Sequence, residues 1–259
     1  MLEREDIIYV YDGSFNGLLT AVFESLKNKE IPAQIVAEDE FVPTFYLAHR
    51  VVTEDKLAAR VKREIKQTAG IRAYNAVKLG YLTGLNNREA IINEFIHMAL
   101  HYGEGVTRML ADESVNRLFK AVIALKQECN KYLKLAMLEA ADDFYTAVIE
   151  PKNNILPIIT TYFCEKLNAS SFLIFDKSHC KAAVFYKQRK YFIELDNIEA
   201  QALCQNKELF NEFCKSCIDA QAQKADKSKV SPVKFFEKGY KDNLRHLNEE
   251  NNFKTIKSA

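Results

Sequence analysis

No apolar run in this chain is long enough to span a bilayer, and no membrane partner is expected. The opening residues, Met1-Leu2-Glu3-Arg4-Glu5-Asp6, are charged and lead straight into a strand pattern, so no secretory leader is read there. Cytoplasm is the expected compartment. A charge excess is lacking too: 36 lysines and arginines stand against 35 acids, a net charge of +1. That balance gives no global attraction to nucleic acid, and any such surface must be a local patch. Nor is there a disulfide framework. The six cysteines (Cys129, Cys164, Cys180, Cys204, Cys214 and Cys217) are scattered along 259 residues of ordinary globular composition, which points to reduced thiols.

Metal signatures are incomplete. Glu94, His97, His101 and Glu104 line up in one narrow helical stripe. Two histidines four apart, flanked by carboxylates, can hold a metal. A dinuclear carboxylate centre would need a second Glu-x-x-His helix, and neither that nor a His-Glu-x-x-His occurs. A polar face with Glu–His pairs is expected instead. Cys214-Lys215-Ser216-Cys217 is a lone Cys-x-x-Cys in a helical pattern, without a second ligand pair for zinc or the preceding strand of a redox motif. Buried thiols on a helix are expected there, and no metal or cofactor.

The chain is organised around Ile7 to Phe23. A buried strand, Ile7 to Tyr11, breaks at Asp12-Gly13-Ser14, and an apolar helical pattern follows through Leu18, Leu19, Val22, Phe23 and Leu26. Asp12 or Ser14 can cap the helix; the same N–H groups can hold an anion. Ile31 to Val36 is a short extended piece, and Pro43 makes the stretch after it irregular. A helix from about Thr53 to Thr68 buries Leu57, Val61 and Ile65 and turns Lys56, Lys62, Arg63 and Lys66 the other way. With Arg50, Arg60 and Arg72 this forms a first basic patch, or a solvated face supported by Asp55 and Glu64.

Further helices are read over Arg72 to Leu82, from Asn87, and over Ala111 to Leu138, the last capped by Asp112 or Ser114. Phe144 to Ile149 is a strand, and Asn153 or Asn154 caps a helix through Ile159 and Phe163. Ser171 to Phe175, Cys180 to Tyr186 and Tyr191 to Leu195 read as an antiparallel meander. The expected class is α+β: mostly helical, with one small, largely antiparallel sheet that also takes in the N-terminal strand. Residues 1–219 form the core domain and 220–259 a lysine-rich linker and helical tail. Asp12, Glu150 and Asp176 each follow an apolar strand, so acids gathered at one sheet edge can bind metal or act as acid and base with Lys177 or His179. They are equally ordinary turn residues. In the tail, Lys234, Lys238, Lys241 and Arg245 interleave with Phe235, Phe236 and Tyr240. Such a segment can contact phosphates and stack on bases, or dock its aromatics on the body.

The opening motif Tyr9-Val-Tyr-Asp-Gly-Ser-Phe-Asn-Gly-Leu-Leu-Thr-Ala-Val-Phe, with Tyr11, Gly13, Ser14 and Gly17, resembles a bacterial family of unknown function described as DNA metabolism or repair proteins. The resemblance continues through Ala59-Arg60-Val61, Gly103 and Gly105, the run Ala147 to Pro157 with Pro151, and Phe172 to Lys177; it fades after Leu195. It implies a gene pairing with a radical S-adenosylmethionine protein, and related domains fused to uracil-DNA glycosylase-type domains. The departures fall where the family carries arginine. A His-Arg pair and a Gly-Phe-x-Arg-Phe segment are replaced by Cys129 to Leu138, an arginine by His179, and the arginine- and tryptophan-bearing C-terminal part by Ser231 to Phe236 in a chain without tryptophan. Lysine lacks the bidentate fork of arginine, which weakens the implied phosphate binding. Radical chemistry of that class needs three clustered cysteines, so any such step belongs to the partner.

The expectation is an accessory DNA-metabolism protein that binds nucleic acid through Arg60, Arg63, Lys131, Lys177, Lys234, Lys238 and Lys241. The alternatives are an enzyme centred on Asp12, Glu150 and Asp176, and a protein-interaction module without nucleic-acid binding.

Overall fold

The computed structural model describes residues 4–135, 139–141, 144–167 and 171–224. The chain separates into two compact units, Met1–Lys126 and Gln127–Ala259. The class is α+β. The N-terminal strand and the meander, however, lie in two sheets rather than one.

In the first unit, β1 (Arg4–Tyr11) is flanked by β2 (Ile31–Ala37) and β3 (Leu47–Arg50), and both pairings are parallel. Ile8, Tyr9, Val10 and Tyr11 are buried in succession. An uninterrupted apolar run is what a central strand covered on both faces requires. Helix α1 (Phe15–Asn28) makes the β1–β2 crossover and buries Leu18, Leu19 and Val22. Helices α2 (Asp55–Thr68), α3 (Gly70–Gly80) and α4 (Arg88–Tyr102) follow, then a 3₁₀ segment at Gly103–Arg108.

Helix α5 (Glu113–Leu135) carries the division between the units. Asp112 opens it, accepting from the Val115 N–H at 3.1 Å and the Ser114 hydroxyl at 2.6 Å. Its first half packs closely on α3, where a Cβ on Gly80 would lie 2.4 Å from Leu118 Cδ1.

The second unit holds five strands in the order β4-β5-β6-β7-β8: β4 (Glu139–Ala141), β5 (Phe144–Ile149), β6 (Ser171–Asp176), β7 (Lys181–Tyr186) and β8 (Arg189–Glu194). The meander β6–β7–β8 is antiparallel, as expected; β5 and β6 are parallel, joined by α6 (Leu156–Lys166). Leu173, Phe175, Val184 and Tyr191 form a core with Leu203 of α7 (Asn197–Gln205) and Phe210 of α8 (Lys207–Lys224). Phe172, the neighbour of Leu173 in sequence, is turned towards Phe163 of α6, with ring centroids 6.4 Å apart. β6 is therefore apolar on both faces. Cys214 is buried in the α8 core, as expected of it; the side chain of Cys217 lies outside the described residues. Among the described residues no helix is long and apolar enough to cross a membrane.

Candidate functional site

The Asp12-Gly13-Ser14 turn is built for the chain itself. Ser14 Oγ accepts from the Gly17 N–H at 2.9 Å, which is the capping role. Asp12 Oδ1 accepts from the Ser14 N–H at 3.0 Å and from its hydroxyl at 2.7 Å. Gly13 has φ +73°, a value that favours glycine, and its carbonyl accepts from the Tyr81 hydroxyl. Burial pushes the Tyr81 hydroxyl up to about 12. Tyr11 donates to Glu89 at 3.2 Å, and Glu89 pairs with Arg88. A Cβ on Gly17 would stand 2.1 Å from Asp12 Oδ1 and 2.8 Å from Thr53 Oγ1. The motif residues thus fasten the end of β1 to α1 and α4.

The histidine stripe does not converge. His97 Nε2 lies 2.9 Å from Ser25 Oγ on α1, and burial lowers its pKa. His101 packs edge-on against Tyr102 at 4.6 Å. Among the described residues no group of three His, Cys, Asp or Glu side chains is placed to hold a metal. Burial raises the thiol of buried Cys129 to about 12, and partial burial raises that of Cys164 to about 11.

Polar groups gather instead at the C-terminal ends of the parallel pair β5–β6 in the second unit. Ile149 and Asp176 are register partners, so Glu150 and Asp176 emerge at the same sheet edge. Asp176 has no exposed surface and accepts from the His179 N–H at 3.2 Å and from its Nδ1 at 2.7 Å. Nδ1 is thereby committed, and Nε2 is the ring nitrogen left for other partners. Exposed Lys177 donates to Glu150 at 2.7 Å, and this bond raises the lysine pKa. From α5, Glu128 accepts from the N–H groups of Lys152 and Asn153 at 2.8 and 3.0 Å and from Asn153 Nδ2 at 2.6 Å. One turn on, Tyr132 is bonded by the Glu150 backbone; burial raises its pKa, and the charges of Glu128, Asp176 and Glu150 raise it further.

Of the acids singled out in the sequence, Glu150 and Asp176 come together with Lys177 and His179, while Asp12 belongs to the other sheet and the other unit. Glu128 and Tyr132 were missed; their i, i+4 spacing puts them on one face of α5, which is the only local signal. The expected Asn caps of α6 are corrected: Ile155 stands at the cap position without a side-chain bond, and Asn153 lies two residues before it, its Nδ2 donating to Glu128. Pro151 is buried at this edge.

Of the basic residues, Arg60 and Arg63 are exposed on α2 beside exposed Lys56 and Lys66. Arg60 bonds Glu64 at 2.7 Å and stands 5.4 Å over the Phe23 ring; Lys66 stands 4.3 Å over the Tyr74 ring. Lys62, by contrast, is half-buried, donating to Asn16 at 2.6 Å, with its pKa lowered by burial. Lys131 and Lys177 are exposed in the second unit. Lys234, Lys238 and Lys241 lie outside the described residues.

No match is found among curated proteins. Residues 86–238, more than half of the chain, match a family model described as a domain of unknown function, DUF4130. That span takes in α4, α5 and the whole β5–β6 edge with its Asp176–His179 pair, and the chain belongs to the DUF4130 family.

Proposed function

We propose that the protein is an accessory nucleic-acid-handling protein acting beside a radical S-adenosylmethionine partner in DNA repair or modification. The observation that carries this reading is the outer face of α2. Lys56, Arg60, Arg63 and Lys66 recur there at helical spacing and are all exposed. A row of cations on a rigid helix suits the phosphate backbone, which positions a protein without reading sequence. In a chain of net charge +1, binding is confined to such a patch. The partner is inferred from the family resemblance alone.

The test is binding of the purified protein to fluorescent single- and double-stranded DNA over a salt series. Affinity that falls steeply with salt supports the reading. Absent binding at low salt, or binding indifferent to salt, contradicts it.

A second reading, an enzyme, rests on the Asp176–His179 pair. A buried carboxylate that fixes the tautomer and direction of a partly exposed imidazole is an arrangement used for proton transfer. It predicts that His179→Gln abolishes turnover of a substrate while DNA binding is unchanged; equal turnover by the variant removes it.

A further inference from the structure

Helices α7 and α8, with the end of β8, leave an apolar groove of about 550 Å³ on the second unit. Ile198, Leu203, Leu209 and Phe213 line it; Glu199 and Glu212 stand among them. Ile198 is 80% exposed and Leu209 40%, although the same helices place Ala200, Leu203, Phe210 and Cys214 in the core. Exposed aliphatic side chains grouped in a groove mark a surface that binds something.

We infer that the groove is the seat of this chain's own segment Val233–Phe236, with Phe235 or Phe236 as the anchor. Three observations select this occupant over others. The first is reach. Phe213 lies eleven residues before Lys224, where the described part of α8 ends, and that stretch of helix is about 16 Å long. Residues 225–235 can span about 35 Å when extended, enough to return along α8 to the groove.

The second is chemistry. Val230, Val233, Phe235, Phe236 and Tyr240 are the densest apolar run of the tail in sequence, with three aromatics within six residues; Leu244, Leu247, Phe253 and Ile256 follow more sparsely. Aromatic anchors filling an apolar groove supply most of the affinity of such contacts. The third is charge. Between 229 and 241 the tail has four lysines and one glutamate, whereas the groove is lined by Glu199 and Glu212 and by no lysine or arginine, the exposed Lys207 and Lys215 of α8 standing outside that lining. Opposite charges around an apolar centre fix register and exclude wrong partners. Tethering also gives the tail a high effective concentration at the groove, in the millimolar range for a short linker. A separate peptide of equal quality would compete poorly. The inference does not depend on DNA binding; docking would leave Lys234, Lys238 and Lys241 in a fixed place.

The absence of tryptophan from the chain makes a direct test available. Phe235→Trp and Phe236→Trp are made singly in the full chain, and emission and acrylamide quenching are recorded at several protein concentrations. The expected result is blue-shifted, quencher-protected emission from at least one variant, independent of concentration. Adding Ile198→Asp, an exposed position whose change leaves the core intact, should red-shift that emission and restore quenching with an unchanged circular dichroism spectrum. Leu209→Asp should do the same. Solvent-like emission from both tryptophan variants overturns the inference. Protected emission indifferent to Ile198→Asp and Leu209→Asp places the segment elsewhere and also overturns it. Protection that appears only as concentration rises assigns the groove to a second copy and overturns the intramolecular seat.

Discussion

Asp176 and His179 are bonded twice within one turn: the buried carboxylate accepts from the His179 backbone N–H at 3.2 Å and from its ring Nδ1 at 2.7 Å. The pair closes the β6–β7 connection at the edge where Glu150 also emerges. Each partner therefore depends on the other. His179→Ala should destabilise the second unit by about 1.5–3 kcal/mol, the loss of a hydrogen bond to a buried charge. Asp176→Ala should cost a similar amount. The double variant should cost less than the sum, with a coupling energy of about 0.5–3 kcal/mol in a urea-unfolding cycle. Strict additivity would show that the pair has no energetic coupling.

The Glu128 carboxylate joins α5 to the β5–α6 connection through three donors, all from Lys152 and Asn153. Two of these are backbone N–H groups, of Lys152 and Asn153. Glu128→Ala should therefore expose the 150–154 connection to faster amide hydrogen exchange and lower stability by about 1–3 kcal/mol. Glu128→Gln, which keeps one acceptor oxygen, should lose less. Exchange unchanged at Lys152 and Asn153 would contradict the assignment.

Gly17 is required for space. Its missing Cβ would meet Asp12 Oδ1 at 2.1 Å while that oxygen is held by Ser14. Gly17→Ala should be destabilising by about 1–3 kcal/mol, the usual cost of overfilling a packed site. Asp12→Ala in the same chain should recover part of the loss, because the nearest obstacle is removed while Thr53 Oγ1 and Tyr11 remain. Thermal unfolding of the single and double variants reads both effects.

His97 gives the first unit a pH dependence. Burial lowers its pKa from 6.5, with Glu94 opposing, and its Nε2 lies beside Ser25. A depressed folded value means that the unfolded chain binds the proton more readily. The contribution is therefore complete above about pH 6.5 and is lost as the pH falls towards the lower folded value. His97→Gln should flatten the stability profile in that window. A slope unchanged by the substitution would assign it to other groups.

What could be read beforehand depended on whether the cause was local. The β1–α1 turn was legible because Asp12, Gly13, Ser14 and Gly17 act within six residues, and the bond from Gly17 N–H to Ser14 is the capping bond that the pattern predicts. The same holds for Asp112 at α5. The sheet partition was misread although a signal was present. Four consecutive buried residues in β1 are the mark of a parallel strand covered on both faces. β3, by contrast, has three exposed residues in four and carries almost no pattern. The rest is set by distant partners. Asn153 stands ahead of the cap position, which is Ile155, and donates instead to a side chain 25 positions away. His97 and His101 share helical spacing, but Ser25, 72 positions off, draws His97 to another neighbour. Nothing adjacent to Glu128 or Tyr132 announces the edge they help to build.

The central claim, that α2 presents a phosphate-binding face, is tested most directly by comparing salt dependence between the wild-type protein and one carrying Lys56→Gln, Arg60→Gln, Arg63→Gln and Lys66→Gln. All four positions are exposed, so the fold should survive. The account predicts weaker binding to duplex DNA and a flatter plot of log affinity against log salt, by about 0.9 for each phosphate contact removed. Equal affinity and equal slope for the two proteins would contradict it.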